Sequence, residues 1–371
     1  MKILKLIPVL LFALSFTACK KDKVAGPEPV AGKIVKVASG EAHTLILKDD
    51  NTLWATGDNA LGQFGDGTNI GVVTPQQIMT GIKSMSAGGN HTLVLKTDNT
   101  LWSTGYNTSG QLGNGTTNNA FLWQQVMSGV ATMNAGIDNT YILKTDNTLW
   151  ATGNNKYGKL GNGTIYDVYS PKQIMTNVLA VSSGENFTLI LKTDNTLWAT
   201  GDNSEGQFGD GTESEGSTIP KKIMTNVKAM SAGASHSLIL KTDNTLWVTG
   251  SNAFGELGDG TTINKKIPKK IMNEVLAVSA GMHHTLILKM DKSLWVAGHN
   301  ARGQLGTGTT TDVMTPKKIA TDVLFINTSE YNSMFIKTDH TLWATGANQD
   351  GQLGDGTTIP RQSFIEITLK K

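Results

Sequence analysis

The chain of 371 residues holds one cysteine, Cys19, so it has no internal disulfide and no Cys-based metal or catalytic pair. It also lacks an excess of charge. Against 32 Lys plus Arg stand 30 Asp plus Glu, a net +2, far from the basic surplus that phosphate backbones demand, and nucleic acid is not an expected partner. No helical period of any length runs through it, and no paired carboxylates, Ser-His-Asp group or Cys-His group stands out from the pattern. Catalysis, cofactors and metals are therefore not expected. Prolines number only 9, whereas glycines number 41 and hydrophobic residues make up 39%, which excludes a disordered or collagen-like polymer and allows a large core.

The first residues, "MKILKLIPVLLFALSFTAC", combine Lys2 and Lys5 with an apolar run from Leu6 to Phe16 and small residues before Cys19. This is the form of a secretory signal, residues 1–18, too short to serve as a membrane span. Cys19 resembles the acylated cysteine of bacterial lipoproteins, with Phe16 in place of the usual Leu three positions before it. The resemblance implies a chain anchored by lipid at Cys19 in the cell envelope, at the outer membrane or cell surface, with the periplasmic side also open. Residues 19–32, charged and then Pro/Gly-rich, suit a flexible tether. The folded part is expected over 33–371.

Seven of the eight tryptophans, at 54, 102, 150, 198, 247, 295 and 343, are spaced by 48 residues, once by 49, and each follows a leucine. Each unit holds four short apolar segments, exemplified by "IVKVASG", "HTLILK", "LWATG" and "PQQIM", separated by Gly, Asn and Asp. Five-residue runs rich in β-branched and aromatic residues between such breakers read as strands. The recurring Asp-Asn between the second and third tolerates the backbone of a tight hairpin. Near-continuous apolar character means that both faces of each small sheet are covered. Seven such sheets predict an all-β, seven-bladed β-propeller with four strands per blade.

Trp followed by Ala, Ser or Val excludes the WD repeat, and the lack of a recurring glycine doublet excludes kelch. The repeat A-G-x-x-H-T-L-I-L-K-x-D-N-T-L-W-x-x-G-x-N-x-x-G-Q-L-G-x-G-T, clearest at "GNHTLVLKTDNTLWSTGYNTSGQLGNGTT" from Gly89, resembles that of the regulator of chromosome condensation family over 33–371. The resemblance implies a propeller closed by strands from both chain ends in one blade, here "QSFIEI" at Gln362 followed by the strand at Ile34. It also implies exchange-factor activity on a small nuclear GTPase or, as in a secreted bacterial relative, inhibition of β-lactamases. The uniform 48-residue spacing leaves no room for the wedge the exchange factor inserts, and the leader directs the chain to another compartment.

The repeated residues read as architecture. The loop glycines form turns, the Asn of G-x-N fixes the turn after the third strand, and His43, His91, His236 and His284 read as core residues with local hydrogen bonds, since Asn139, Phe187 and Asn332 replace them elsewhere. Asp in "GDG" becomes Asn114, Asn162 or Thr307, which argues against calcium. Lysine pairs on the fourth strand, such as Lys221 and Lys222, read as guards of a solvated edge.

Function is sought where the repeat leaves residues free. Strand parity puts the A-G-x-x-H turn and the long G-x-N loop on one face, and there the free positions carry Tyr106, Tyr157, Glu205, Phe254, Met282, His299, Arg302 and Tyr331. An apolar cluster on a connecting loop of the second unit adds Phe121 and Trp123, as a contact or as a filler between blades, and the fourth unit carries an extra residue in acidic "ESEGS". Variation on a fixed scaffold, rich in aromatics and Arg, is what a protein-binding face needs. The expected function is that of a monomeric, non-catalytic, lipid-anchored module binding another protein as inhibitor, adhesin or scaffold. The alternative is a propeller that binds or cleaves carbohydrate, with Tyr106, Tyr157 and Phe254 as stacking platforms and Glu41, Glu185 and Glu330 as carboxylates at the tunnel.

Overall fold

The computed structural model describes residues 32–369. The expected signal peptide, Cys19 and all of the tether but Gly32 lie outside them. The described chain forms seven four-stranded antiparallel sheets in sequence order. In blade one β1 (Ile34–Ser39), β2 (His43–Lys48), β3 (Leu53–Gly57) and β4 (Val72–Met79) pair consecutively, and six further blades follow at 82–127, 130–175, 178–224, 227–272, 275–320 and 323–367. First strands surround the central axis, and the largely exposed fourth strands form the rim.

Burial follows from sheet-on-sheet packing. The whole of β2 is buried, as are most of its counterparts, because one face meets the preceding blade and the other the next. The apolar clusters accordingly bridge neighbours: Leu45, Leu53 and Phe64 of blade one pack with Ile82, Met85 and Val94 of blade two. Each fully buried leucine contributes about 1.5–3 kcal/mol.

The hairpin "TDNT" works as a division of labour. Only the Asn carries positive φ, 63° at Asn99, while Asp98 Oδ1 accepts hydrogen bonds from the Thr100 N–H and hydroxyl at 2.9 and 2.6 Å. Thr100 Oγ1 in turn accepts the indole N–H of Trp102 at 2.8 Å, and the Lys96 ammonium lies 3.8 Å from the Trp102 ring centroid. The Asp–Thr–Trp relay recurs in all seven blades, with Ser293 as the hydroxyl in the sixth.

Ring closure differs from the expectation. Among the described residues no blade mixes strands from the two ends: β1 to β4 form one sheet, and Val323–Ile367 supplies all four strands of the last. The physical reason is phase, since the chain enters at a first strand and leaves after a fourth. The seam is closed instead as every other interface is, by the long loop reaching onto the next blade. Gly356 N–H donates to the Val73 carbonyl at 2.9 Å, as Gly67 does to Phe121 and Gly115 to Tyr169. Thr56 Oγ1 donates to the Gly351 carbonyl at 3.0 Å, and Ile34, Val37 and Ile46 pack on Met334, Ile336 and Leu342. The extra residue of blade four extends the ladder to Asn203 opposite Ser214, where Gly216 at φ 98° absorbs the irregularity.

Candidate functional site

The two connections that parity assigns to one face do meet there. Asp58 N–H donates to the Ala42 carbonyl at 2.8 Å, Tyr106 to Asn90 at 2.9 Å and His299 to His283 at 2.8 Å. On the opposite face the hairpin turn meets the turn between blades, as where Ile82 N–H donates to the Asn51 carbonyl.

Each long loop is built around its buried Asn. Asn107 Oδ1 accepts from Leu112 N–H at 2.9 Å, and its amide donates to Asn114 Oδ1 and to the carbonyls of Thr116 and Asn118. The Gln of "GQLG" braces the same loop, with Gln111 Oε1 accepting from Ser109 N–H. "GDG" is likewise an internal turn, in which Asp66 Oδ1 accepts from the Thr68 N–H and hydroxyl. The histidines bond across blades rather than locally. His43 and His91 place Nε2 3.0 Å from Thr92 and Thr140 Oγ1, and His284 lies 3.0 Å from Ser333 Oγ. In blade three, where Asn139 is too short, Tyr141 supplies the hydroxyl to Thr188 at 2.7 Å. Burial lowers the pKa of His43 and His236 to about 4 and of His91 and His284 to about 3.

The loop Gln is replaced in two blades, and both exceptions carry charge. Lys159 cannot accept the N–H two residues earlier, and Tyr157 turns to φ 61°, 43% exposed. Its buried ammonium donates to the Glu185 carbonyl at 2.9 Å, and burial, opposed by Asp138, Glu185 and Asp167, lowers its pKa to about 8. Glu256 keeps the brace, accepting from Phe254 N–H at 2.8 Å, and adds a Ser251 hydroxyl bond at 2.9 Å. Burial pushes its carboxyl up, but the attraction of His283 and His236 and its hydrogen bonds outweigh this and hold it at about 2. His283 Nδ1 lies 3.9 Å from it, too far for a hydrogen bond.

The Phe254 ring forms a triangle with two imidazoles, 4.4 Å from His299 and 5.1 Å from His283, which are themselves 6.4 Å apart. Gln304 Nε2 lies 3.2 Å from His299 Nδ1. Met282 stands beside this cluster in sequence and lines a central pocket of about 230 Å³, walled by Ser, Ala and Gly from every blade. Glu41, Glu185 and Glu330 line the same pocket. Burial, then the charges of Glu41, Glu185 and Asp138, raise Glu330 to about 7. Asp138 is raised by burial against the pull of Lys159, and Asp350 by burial and Asp58. Carboxylates thus dominate around the central pocket, with the Lys159 ammonium as a counter-charge among them.

Of the residues singled out from sequence, Phe254 and His299 are brought together. Arg302 is exposed, Tyr106 and Tyr331 are half-buried, and the carboxylate of half-buried Glu205 accepts from Asn264 Nδ2. Tyr106 and Tyr157 join no ring-to-ring contact among the described residues. Phe121 and Trp123 sit on the rim strand of blade two. Trp123 takes the place that Pro171 and Pro268 fill in other blades, lying on Gly65 and the core of blade one, so its indole fills the interface; Phe121 remains 39% exposed. Glu256, Lys159 and His283 were missed as site residues. The signal for the first two was the break in the Gln column. Among the described residues no group of three or more His, Cys, Asp or Glu converges as metal ligands would.

Comparison with known proteins fits this architecture. An RCC1-like domain matches residues 124–369, and the regulator of chromosome condensation (RCC1) repeat matches 34–63, 82–111 and 50–95. Yeast RCC1 (Prp20), in a structure with Kap60, is 19% identical with a TM-score of 0.78, covering 94% of this chain and 91% of its own. Prp20p of Saccharomyces cerevisiae, described with its binding to Gsp1p and histones, is 21% identical at 0.77, covering 87% of each chain. Human WBSCR16 is 22% identical at 0.74, covering 81% and 86%. At these identities the structures report the fold.

Proposed function

The chain belongs to the regulator of chromosome condensation repeat family, and from that premise we propose that it is a non-catalytic, lipid-anchored, extracytoplasmic propeller that binds another protein through its loop face. The observation that carries the reading is the Phe254–His299–His283 cluster, whose His283 directly follows Met282 of the central pocket's wall. Rigid rings on braced loops, with Met282 beside them, supply contact area at low entropic cost, the usual make-up of a binding hot spot. The surrounding carboxylates suit a partner surface rich in Lys and Arg. Relatives of the same fold are described in complex with, or binding, proteins. A pull-down from intact envelopes tests it: replacing Phe254, His299 and Met282 together by Ala should abolish capture of the partner held by the wild type. Unchanged capture would remove this face from consideration.

A second reading rests on Glu330. A carboxyl raised to about 7 beside Glu41 and Glu185 has the mixed protonation that glycoside cleavage uses. Glu330→Gln would then abolish activity on a glycan panel. Absence of activity in the wild type ends this alternative.

A further inference from the structure

The nearly balanced net charge conceals a segregation of charge. The loop face gathers carboxylates, among them Glu41, Asp138, Glu185 and Glu330; the charges of the first three add to burial in raising the proton affinity of Glu330. The basic residues gather at the rim, on the outer strands Ser214–Met224, Lys265–Met272 and Val313–Ala320 of three consecutive blades. Lys221, Lys222, Lys269, Lys270, Lys317 and Lys318 stand exposed there in equivalent pairs. The repeat does not require them, because blades one and two carry Gln76, Gln77, Gln124 and Gln125 at the same positions. If they only guarded exposed edges, every blade would need them equally.

Lys269 is engaged by Asp259 at 3.1 Å, and Lys222, Lys270 and Lys318 feel the hairpin aspartates Asp194, Asp243 and Asp291. Among the described residues, five of the six form no ion pair. The second observation is where the chain enters. Lys33 N–H donates to Asp49 Oδ1 at 2.8 Å and Asp49 N–H to the Lys33 carbonyl at 2.9 Å, so the polypeptide joins the propeller at the hairpin face, away from the loops. Residues 20–32 span at most about 45 Å, which keeps the propeller beside whatever surface holds Cys19.

We propose that the lysine-bearing outer strands of blades four to six rest on an anionic lipid surface, with the acidic loop face turned away from it. The proposal builds on the lipid anchor of the function proposed above and adds to it an orientation. Anionic headgroups attract each nearby lysine and repel the loop carboxylates, so both forces turn the loop face away from the surface. The partner-binding face then looks into solvent.

The test uses the full chain carrying Cys19→Ser, which has no acyl group, with phosphatidylcholine vesicles containing or lacking about one-third phosphatidylglycerol. The chain is expected to sediment with the anionic vesicles only, and to be released when salt is raised to about 0.5 M. Changing the six lysines to Gln should weaken binding about tenfold or more; these side chains are exposed, and an unchanged melting curve verifies the fold. Equal binding to both vesicle types, or a six-Gln variant that binds like its parent, overturns the proposal. Binding of polyglutamate as tight as that of the anionic vesicles also overturns it, assigning the strands to an acidic protein. The anchor is read separately: retention of the wild type, and not of Cys19→Ser, on membranes washed at high salt supports it, and release of both rejects it whatever the vesicles show.

Discussion

At the scale of residues, the buried histidines make stability depend on pH. His43, His91, His236 and His284 have folded pKa values of about 3 to 4 against an ordinary 6.5. The unfolded chain therefore takes up protons that the folded chain refuses. Their contribution is complete above pH 6.5 and is lost as pH falls from 6.5 toward 4, by up to about 1.4 kcal/mol per pH unit for each histidine. Glu330, raised to about 7, acts with opposite sign between pH 7 and 4.5, as do Asp138 and Asp350, raised above 3.8, but they are three groups against four. Urea unfolding at pH 7.5 and 5.5 should show a clear loss at the lower value; equal midpoints would contradict the buried, neutral assignment. Tyr157 offers a second check, because its left-handed backbone costs a non-glycine residue about 1 kcal/mol. Tyr157→Gly is expected to raise the urea midpoint, and a lower midpoint would mean that the ring contributes more than the strain.

At the scale of elements, the unit of construction is the loop and its hub. Asn107→Ala removes the acceptor for Leu112 N–H and the donor to two carbonyls, a loss of about 2–3 kcal/mol for buried groups left without partners. Amide exchange should quicken across residues 108–119 and stay slow in the hairpin at 96–101. Uniform acceleration of the blade would deny the loop its independence. This element was largely legible in sequence: the invariant Asn, the glycines and the Asp-Asn turn each announce a local backbone need. The candidate cluster was only half legible. Phe254 and His299 stood out as free positions, but Phe254 belongs to blade five and His283 and His299 to blade six, and no spacing within one repeat encodes a contact between blades. Trp123, expected on a connecting loop as a contact or as a filler between blades, lies on an edge strand with its indole against the preceding blade's Gly65, a contact that no single repeat encodes.

At the scale of the molecule, the period specifies a ring but not how it closes. Along the inner ring, Ser86 and Asn134 accept N–H groups of the next blade, Ala135 and Ser183, at 3.0 and 3.1 Å. Among the described residues this bond is missing between blades one and two, where Ala38 has no side-chain acceptor, and between blades seven and one, where Asn327 Oδ1 is buried without a partner; at the latter Asn332 also turns to the Ala347 carbonyl of its own blade, so blade one lacks the bond on both sides. Hydrogen exchange should therefore be fastest at Ile34–Ser39 and Val323–Thr328 among the seven first strands, and equal rates would mean that apolar packing alone sets the seam. The acidic, aromatic loop face and the lysine rim give the closed disc its polarity, and on that polarity the proposed function depends. The most direct measurement is photo-cross-linking in intact cells from a probe placed at Arg302, on the loop face, and from one placed at Asn99, in a hairpin turn of the opposite face. The account predicts a discrete protein adduct from position 302 alone. An adduct from position 99 alone, or the same adduct from both, would contradict it.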